Sequence, residues 1–100
     1  MTTSISRNDR ELVVKVEGQL DAVTSEEFIR KIEQELEGID TINIDCSDLT
    51  YISSAGLRAL VTLSNDLGDG DDVIRLSKVG EQVSQVLKLT GMNELFTILD

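Results

Sequence analysis

The stretch Thr24-Ser25-Glu26-Glu27-Phe28-Ile29-Arg30-Lys31-Ile32-Glu33-Gln34-Glu35-Leu36-Glu37-Gly38-Ile39-Asp40-Thr41-Ile42-Asn43-Ile44-Asp45-Cys46 changes its hydrophobic period partway along, and that change decides the fold. Phe28, Ile29, Ile32 and Leu36 recur at helical spacing, with Glu26, Arg30, Lys31, Glu33 and Glu37 on the wet side. Thr24 is a good N-cap, Glu27 three residues on completes a capping box, and Val23 and Phe28 take the positions of a hydrophobic staple. Gly38 fits the position just past the helix end. From Ile39 the period falls to two, which predicts a strand with Ile42, Ile44 and Cys46 facing inward.

The same alternation of periods extends both ways. Upstream, Leu12-Val13-Val14-Lys15-Val16 is short and β-branched and predicts a strand over about 11–17. Ile5 belongs to a preceding strand, with Asn8-Asp9 as the hairpin turn. Gly18-Gln19-Leu20-Asp21-Ala22 reads as a loop. Downstream, residues 47–52 read as a connection carrying its own apolar anchors. A second helix is expected from about Ser54 to Leu67, burying Leu57, Leu60, Val61 and Leu67, and ending at Gly68. Asp69-Gly70-Asp71 reads as a turn and Asp72–Ser77 as a strand. A third helix runs from Glu81 to about Leu89, with Val83, Val86 and Leu87 inward and Gly91 at its close. Leu95–Leu99 is a last short strand. The order β-β-α-β-α-β-α-β implies an α/β domain spanning 1–100, with right-handed crossovers and a mixed, mostly parallel sheet.

Composition narrows the chemistry. The 100-residue chain is 40% hydrophobic and 28% charged, as an ordinary globular domain is. It has no His, so no Ser-His-Asp triad, Cys-His dyad or HExxH zinc site exists. The single cysteine, Cys46, excludes an internal disulfide and suits a reducing, cytoplasmic setting. No transmembrane-length apolar run or signal-peptide pattern is present. With 19 acidic against 9 basic residues the formal net charge is −10. That charge opposes binding to nucleic acid or an anionic membrane and suits either solubility or steering toward a basic protein.

The most unusual segment is Tyr51-Ile52-Ser53-Ser54-Ala55-Gly56-Leu57-Arg58, at a strand exit and a helix N-terminus. Two hydroxyls sit beside unpaired helix N–H groups, and Gly56 allows a close approach to the first turn. On this pattern alone, capping is the ordinary role of such serines. Neither GxSxG nor GxxxxGK[ST] is present. Cys46 is expected to be a buried thiol, and Asp45 and Asp48 solvated or turn-forming carboxylates. Asp66, Asp69, Asp71 and Asp72 lack calcium-loop spacing. Arg58 reads as a surface residue one turn after Ser54. No cofactor or metal is expected.

Three motifs in order resemble the STAS family, the sulfate-transporter and anti-sigma-factor-antagonist domain. Gly18-Gln19-Leu20-Asp21-Ala22-Val23-Thr24 is similar to its G-x-L-D-x-x-T stretch. Ile42-Asn43-Ile44-Asp45-Cys46-Ser47-Asp48-Leu49 is similar to its I-x-I-D-x-S-x-L segment. Ser53-Ser54-Ala55-Gly56-Leu57 is similar to its S-S-A-G-L variant. The resemblance is closest to the stand-alone bacterial anti-sigma factor antagonists. It implies helices packed mainly on one face of the sheet and a non-enzymatic switch. In that switch the unphosphorylated antagonist binds an anti-sigma factor that is also a serine kinase, and a sigma factor is freed. Phosphorylation at the position of Ser54 blocks binding, and a PP2C-type phosphatase restores it. The implied partner surface comprises Asp21, Ala22, Thr24, Ser53, Ser54, Gly56, Leu57 and Arg58. Many family antagonists carry Asp where this chain has Ser53, which leaves Ser53 as the alternative acceptor. Two other outcomes are a partner switch with a non-sigma output and a STAS scaffold that is not phospho-regulated.

Overall fold

The computed structural model describes residues 1–68 and 73–99, and the expected turn at Asp69-Gly70-Asp71 lies outside them. The elements run β1 (Thr2–Asn8), β2 (Glu11–Leu20), α1 (Thr24–Glu33), β3 (Thr41–Ile52), α2 (Ser54–Asp66), β4 (Ile74–Ser77), α3 (Glu81–Thr90), a 3-10 turn (Met92–Glu94) and β5 (Thr97–Leu99). The five strands form one sheet in the order β1-β2-β3-β4-β5. β1 is antiparallel to β2, and every later pairing is parallel. This is the expected order and the expected mixed sheet.

One sheet face holds the core. Leu12, Val14 and Val16 of β2, Ile42, Ile44 and Cys46 of β3, and Ile74 and Leu76 of β4 are all buried. They join Phe28 and Ile32 of α1, Leu57, Leu60 and Leu63 of α2, and Val83 and Leu87 of α3 in one cluster. The register sets Val13, Asn43 and Arg75 side by side on the opposite face, and likewise Lys15, Asp45 and Ser77. That face is polar. Ser77 donates its hydroxyl to the Asn43 side-chain oxygen at 3.0 Å, and Arg75 pairs with Glu11 at 3.5 Å. A sheet with one apolar and one polar face is what period-two strands under a single helical layer require.

β3 departs from the expectation. It does not stop at Cys46 but continues through the stretch read as a connection, to Ile52. Two register shifts against β2, between Lys15 and Glu17 and between Gly18 and Gln19, each put one extra residue into β3. Each bulge moves the inward position on by one residue, so the buried set becomes Cys46, Leu49 and Ile52. The second bulge is tied by the Thr50 hydroxyl, which donates to the Gly18 carbonyl at 3.0 Å. Gly18 has φ +106°, open to glycine and strained for other residues. β2 accordingly runs on to Leu20, taking in Gly18, Gln19 and Leu20 of the segment expected to be a loop. β2 and β3 thus extend past the end of β4, and their tips carry the segments of interest.

Candidate functional site

The β2–α1 junction is capped differently from the sequence expectation. Asp21, not Thr24, is the capping residue. Its carboxylate oxygen accepts from the backbone N–H groups of Val23 and Thr24, both at 3.0 Å, and its carbonyl accepts from the Ser25 N–H at 2.9 Å. Thr24 closes a reciprocal box, its hydroxyl oxygen accepting from the Asp21 N–H at 3.0 Å. The same hydroxyl donates to the Gln19 carbonyl at 2.8 Å. The Thr24 and Val23 N–H groups hold the Asp21 carboxyl below its ordinary value. The expected staple does not form: Phe28 is fully buried, but Val23 is 85% exposed. The box displaced by three residues puts Val23 in the helical first turn, pointing away from the core. α1 also ends one turn early, at Glu33, and Gly38 (φ +77°) serves a separate turn in which Ile39 N–H meets the Leu36 carbonyl.

The β3–α2 junction separates the two serines. Ser53 is the N-cap of α2, in extended conformation, and its hydroxyl accepts from the Gly56 N–H at 3.3 Å. Its carbonyl accepts from the Leu57 N–H at 2.9 Å. Ser54 is the first residue of the helix and is exposed. An Asp at position 53 would cap equally well.

The two junctions are locked together through one backbone atom. The Leu20 carbonyl accepts from the Ser53 N–H at 2.9 Å. A methyl group placed on Gly56 would lie 2.5 Å from the Leu20 carbonyl oxygen and 2.8 Å from Ile52 Cγ1. Glycine is needed there because the first turn of α2 sits directly on the tip of β2. The close approach expected at Gly56 is therefore made by the chain itself. Gly56 and Leu57 are buried and present no side chain at the surface, whereas Ala22, Ser54 and Arg58 are exposed and Asp21, Thr24 and Ser53 half-buried. Leu20 leaves no trace in the sequence pattern, because its contribution is a main-chain carbonyl with no side-chain signature.

The remaining singled-out residues have structural roles. Cys46 is buried, and desolvation together with the Asp45 charge pushes its thiol up to about 12. Asp45 accepts from the Ser47 N–H at 2.9 Å at the first bulge of β3, not in a turn, and Asp48 pairs with Lys15 at 3.4 Å. No helix among the described residues is long and apolar enough to cross a membrane.

A fold with a helical layer on one face of a mixed sheet, and a paired Asp21 and Ser53-Ser54 tip, defines a STAS-type domain. The STAS domain family model matches residues 2–100, and the chain belongs to that family. An anti-sigma-B factor antagonist of Staphylococcus epidermidis is 27% identical over 88 residues, covering 85% of this chain and 80% of the relative. The crystal structure of an anti-sigma factor antagonist from Mycobacterium paratuberculosis superposes with a TM-score of 0.82 at 25% identity, over 97% of this chain and 83% of that one. The anti-sigma factor antagonist SpoIIAA in its unphosphorylated form also gives a TM-score of 0.82, at 17% identity over 99% and 89% of the two chains.

Proposed function

We propose that this protein is an anti-sigma factor antagonist working as a phosphorylation-controlled partner switch in the cytoplasm. Unmodified, it binds an anti-sigma factor that is also a serine kinase and so frees a sigma factor. Phosphorylation of Ser54 ends the binding, and a PP2C-type phosphatase restores it. The domain catalyses nothing itself. The observation that carries this reading is the division of labour at the α2 N-terminus. Ser53 is engaged as the cap, while the Ser54 hydroxyl is exposed beside the Asp21 junction.

The chemistry is local. A phosphate adds about −1.5 to −2 charge and three acceptor oxygens. At the first turn of α2 it meets free N–H groups and the positive end of the helix dipole, so the domain holds it without rearrangement. A partner that had packed against a hydroxyl must instead desolvate a dianion, and affinity falls.

The test is incubation with ATP and candidate anti-sigma factor kinases, read by intact mass and peptide mapping. Ser54→Ala should abolish phosphate incorporation and Ser53→Ala should leave most of it. Phosphate mapped to Ser53, or none taken up from any such kinase, overturns the assignment.

A further inference from the structure

Among the described residues, two large apolar side chains are almost fully exposed, Val23 at 85% and Leu89 at 87%. Neither belongs to the core cluster or packs against it. Val23 contributes its N–H to the Asp21 cap, but its side chain contributes no packing, and a β-branched residue is a mediocre choice for a helical turn. Its place in the fold differs from that of Leu89. Val23 lies between Asp21 and Thr24, and the Thr24 hydroxyl is bonded to the Gln19 carbonyl. Gln19 pairs with Tyr51, itself 40% exposed, and the neighbouring Leu20 carbonyl holds Ser53. Val23, Tyr51 and Ser54 therefore share the pole formed by the tips of β2 and β3. Exposed Glu26 and Glu27, with half-buried Asp21, flank the valine.

We infer that Val23 is the apolar anchor of the partner contact, entering an apolar socket on the anti-sigma factor kinase rimmed by Lys or Arg side chains that meet Asp21, Glu26 and Glu27. This rests on the Ser54 switch proposed above and gives it a mechanism. Binding energy concentrates on apolar anchors from which a surrounding ring excludes water. A dianion on Ser54 brings its hydration shell to the edge of that ring, so the anchor can no longer be dried. The carboxylates around Val23 select a basic rim, and the continuity of the patch with Ser54 selects the partner that reads Ser54.

The probe is the kinase that phosphorylates the wild-type chain at Ser54, immobilised without ATP. Its affinity is measured for the wild type, the wild type phosphorylated at Ser54, Val23→Ala, Val23→Asp and Leu89→Asp. Val23→Asp should weaken binding by about tenfold or more and Val23→Ala by a smaller factor, while Leu89→Asp stays within about twofold of wild type. Val23→Asp, at the start of α1, should melt no lower than Leu89→Asp, in the last turn of α3. Both side chains lie outside the core, and the helix dipole favours a carboxylate only at the former. A selective binding loss in Val23→Asp therefore cannot come from unfolding. Binding of Val23→Asp within about twofold of wild type, or an equal loss in Leu89→Asp, overturns the anchor while the switch stands. Equal affinity of the phosphorylated and unmodified wild type is the separate failure that overturns the switch, and the anchor falls with it.

Discussion

Ser53 and Ser54 are chemically identical and structurally opposite, and single substitutions should expose the difference. Ser53→Ala removes the acceptor for the Gly56 N–H and should cost about 1 kcal/mol of stability, whereas Ser53→Asp should retain the cap. Ser54→Ala, at an exposed position that caps nothing, should change stability by less than about 0.5 kcal/mol. Ser54→Asp should fold at least as well as the parent, since a carboxylate in the first helical turn contributes about 0.3–1 kcal/mol, and yet it should bind the partner more weakly. Urea denaturation of the four variants checks the ranking. Had Ser54 been the cap, the alanine effects would be exchanged, and the sequence alone leaves both assignments open. Gly56 is the stricter position. Gly56→Ala drives a methyl group against the Leu20 carbonyl and Ile52, and should cost about 1–3 kcal/mol, because one of its neighbours is rigid backbone.

The two ends of α1 respond to pH with opposite sign. At its start, the Thr24 and Val23 N–H groups depress the Asp21 pKa below 3.8. The stability this gives is full above the unfolded value and is lost as pH falls through the lower folded value. Asp21→Asn, still a good cap, should therefore flatten the acid limb of melting temperature against pH below about pH 4. At its close, a hydrogen bond to Asp66 of α2, then burial and the Asp66 charge, raise Glu33 above 4.5. That contribution is full below the unfolded value and is lost as pH rises through the folded one. Glu33→Gln should raise the melting temperature at pH 7 and leave it nearly unchanged at pH 4, which a pH series of thermal melts measures. Elements with clean periods were legible in the sequence: the Phe28–Ile32 stripe, the Ile42–Cys46 alternation and the order of all eight helices and strands. β3 beyond Cys46 was not, because two bulges turn a period of two into a period of three, a spacing that no strand template contains. The start of α1 at Thr24 was legible, but its capping side chain was not, because Asp21 and Thr24 are both competent caps. The choice fell to Asp21 when Thr24 also found the Gln19 carbonyl, a tertiary contact without sequence signature. At the site, the motif residues were legible, but the Leu20 carbonyl that joins them and the exposure of Val23 were not.

Over the whole molecule, the acid excess is not consumed internally. Among the described residues, Arg10, Lys15, Lys31, Arg75 and Lys78 each pair with a carboxylate, and five such neutral pairs leave the excess of 19 acidic over 9 basic residues untouched. With a formal charge of −10, long-range attraction to a basic partner should accelerate encounter, and the association rate should fall as salt rises past a Debye length of about 10 Å at 0.1 M. The same charge constrains how phosphorylation would break the proposed complex. A phosphate makes the chain more negative, so at long range it strengthens attraction to a basic partner. The loss of affinity must therefore arise at contact, where the dianion cannot be desolvated. Stopped-flow binding at two ionic strengths should then show a salt-dependent association rate for both the unmodified and the phosphorylated protein, with the loss of affinity residing mainly in faster dissociation. Glu26→Gln together with Glu27→Gln should shallow the salt dependence in both forms without relieving the block. An association rate indifferent to salt would mean that the acid excess serves solubility alone. A block expressed wholly in a slower, salt-sensitive association would mean that long-range repulsion, not local desolvation, turns the switch.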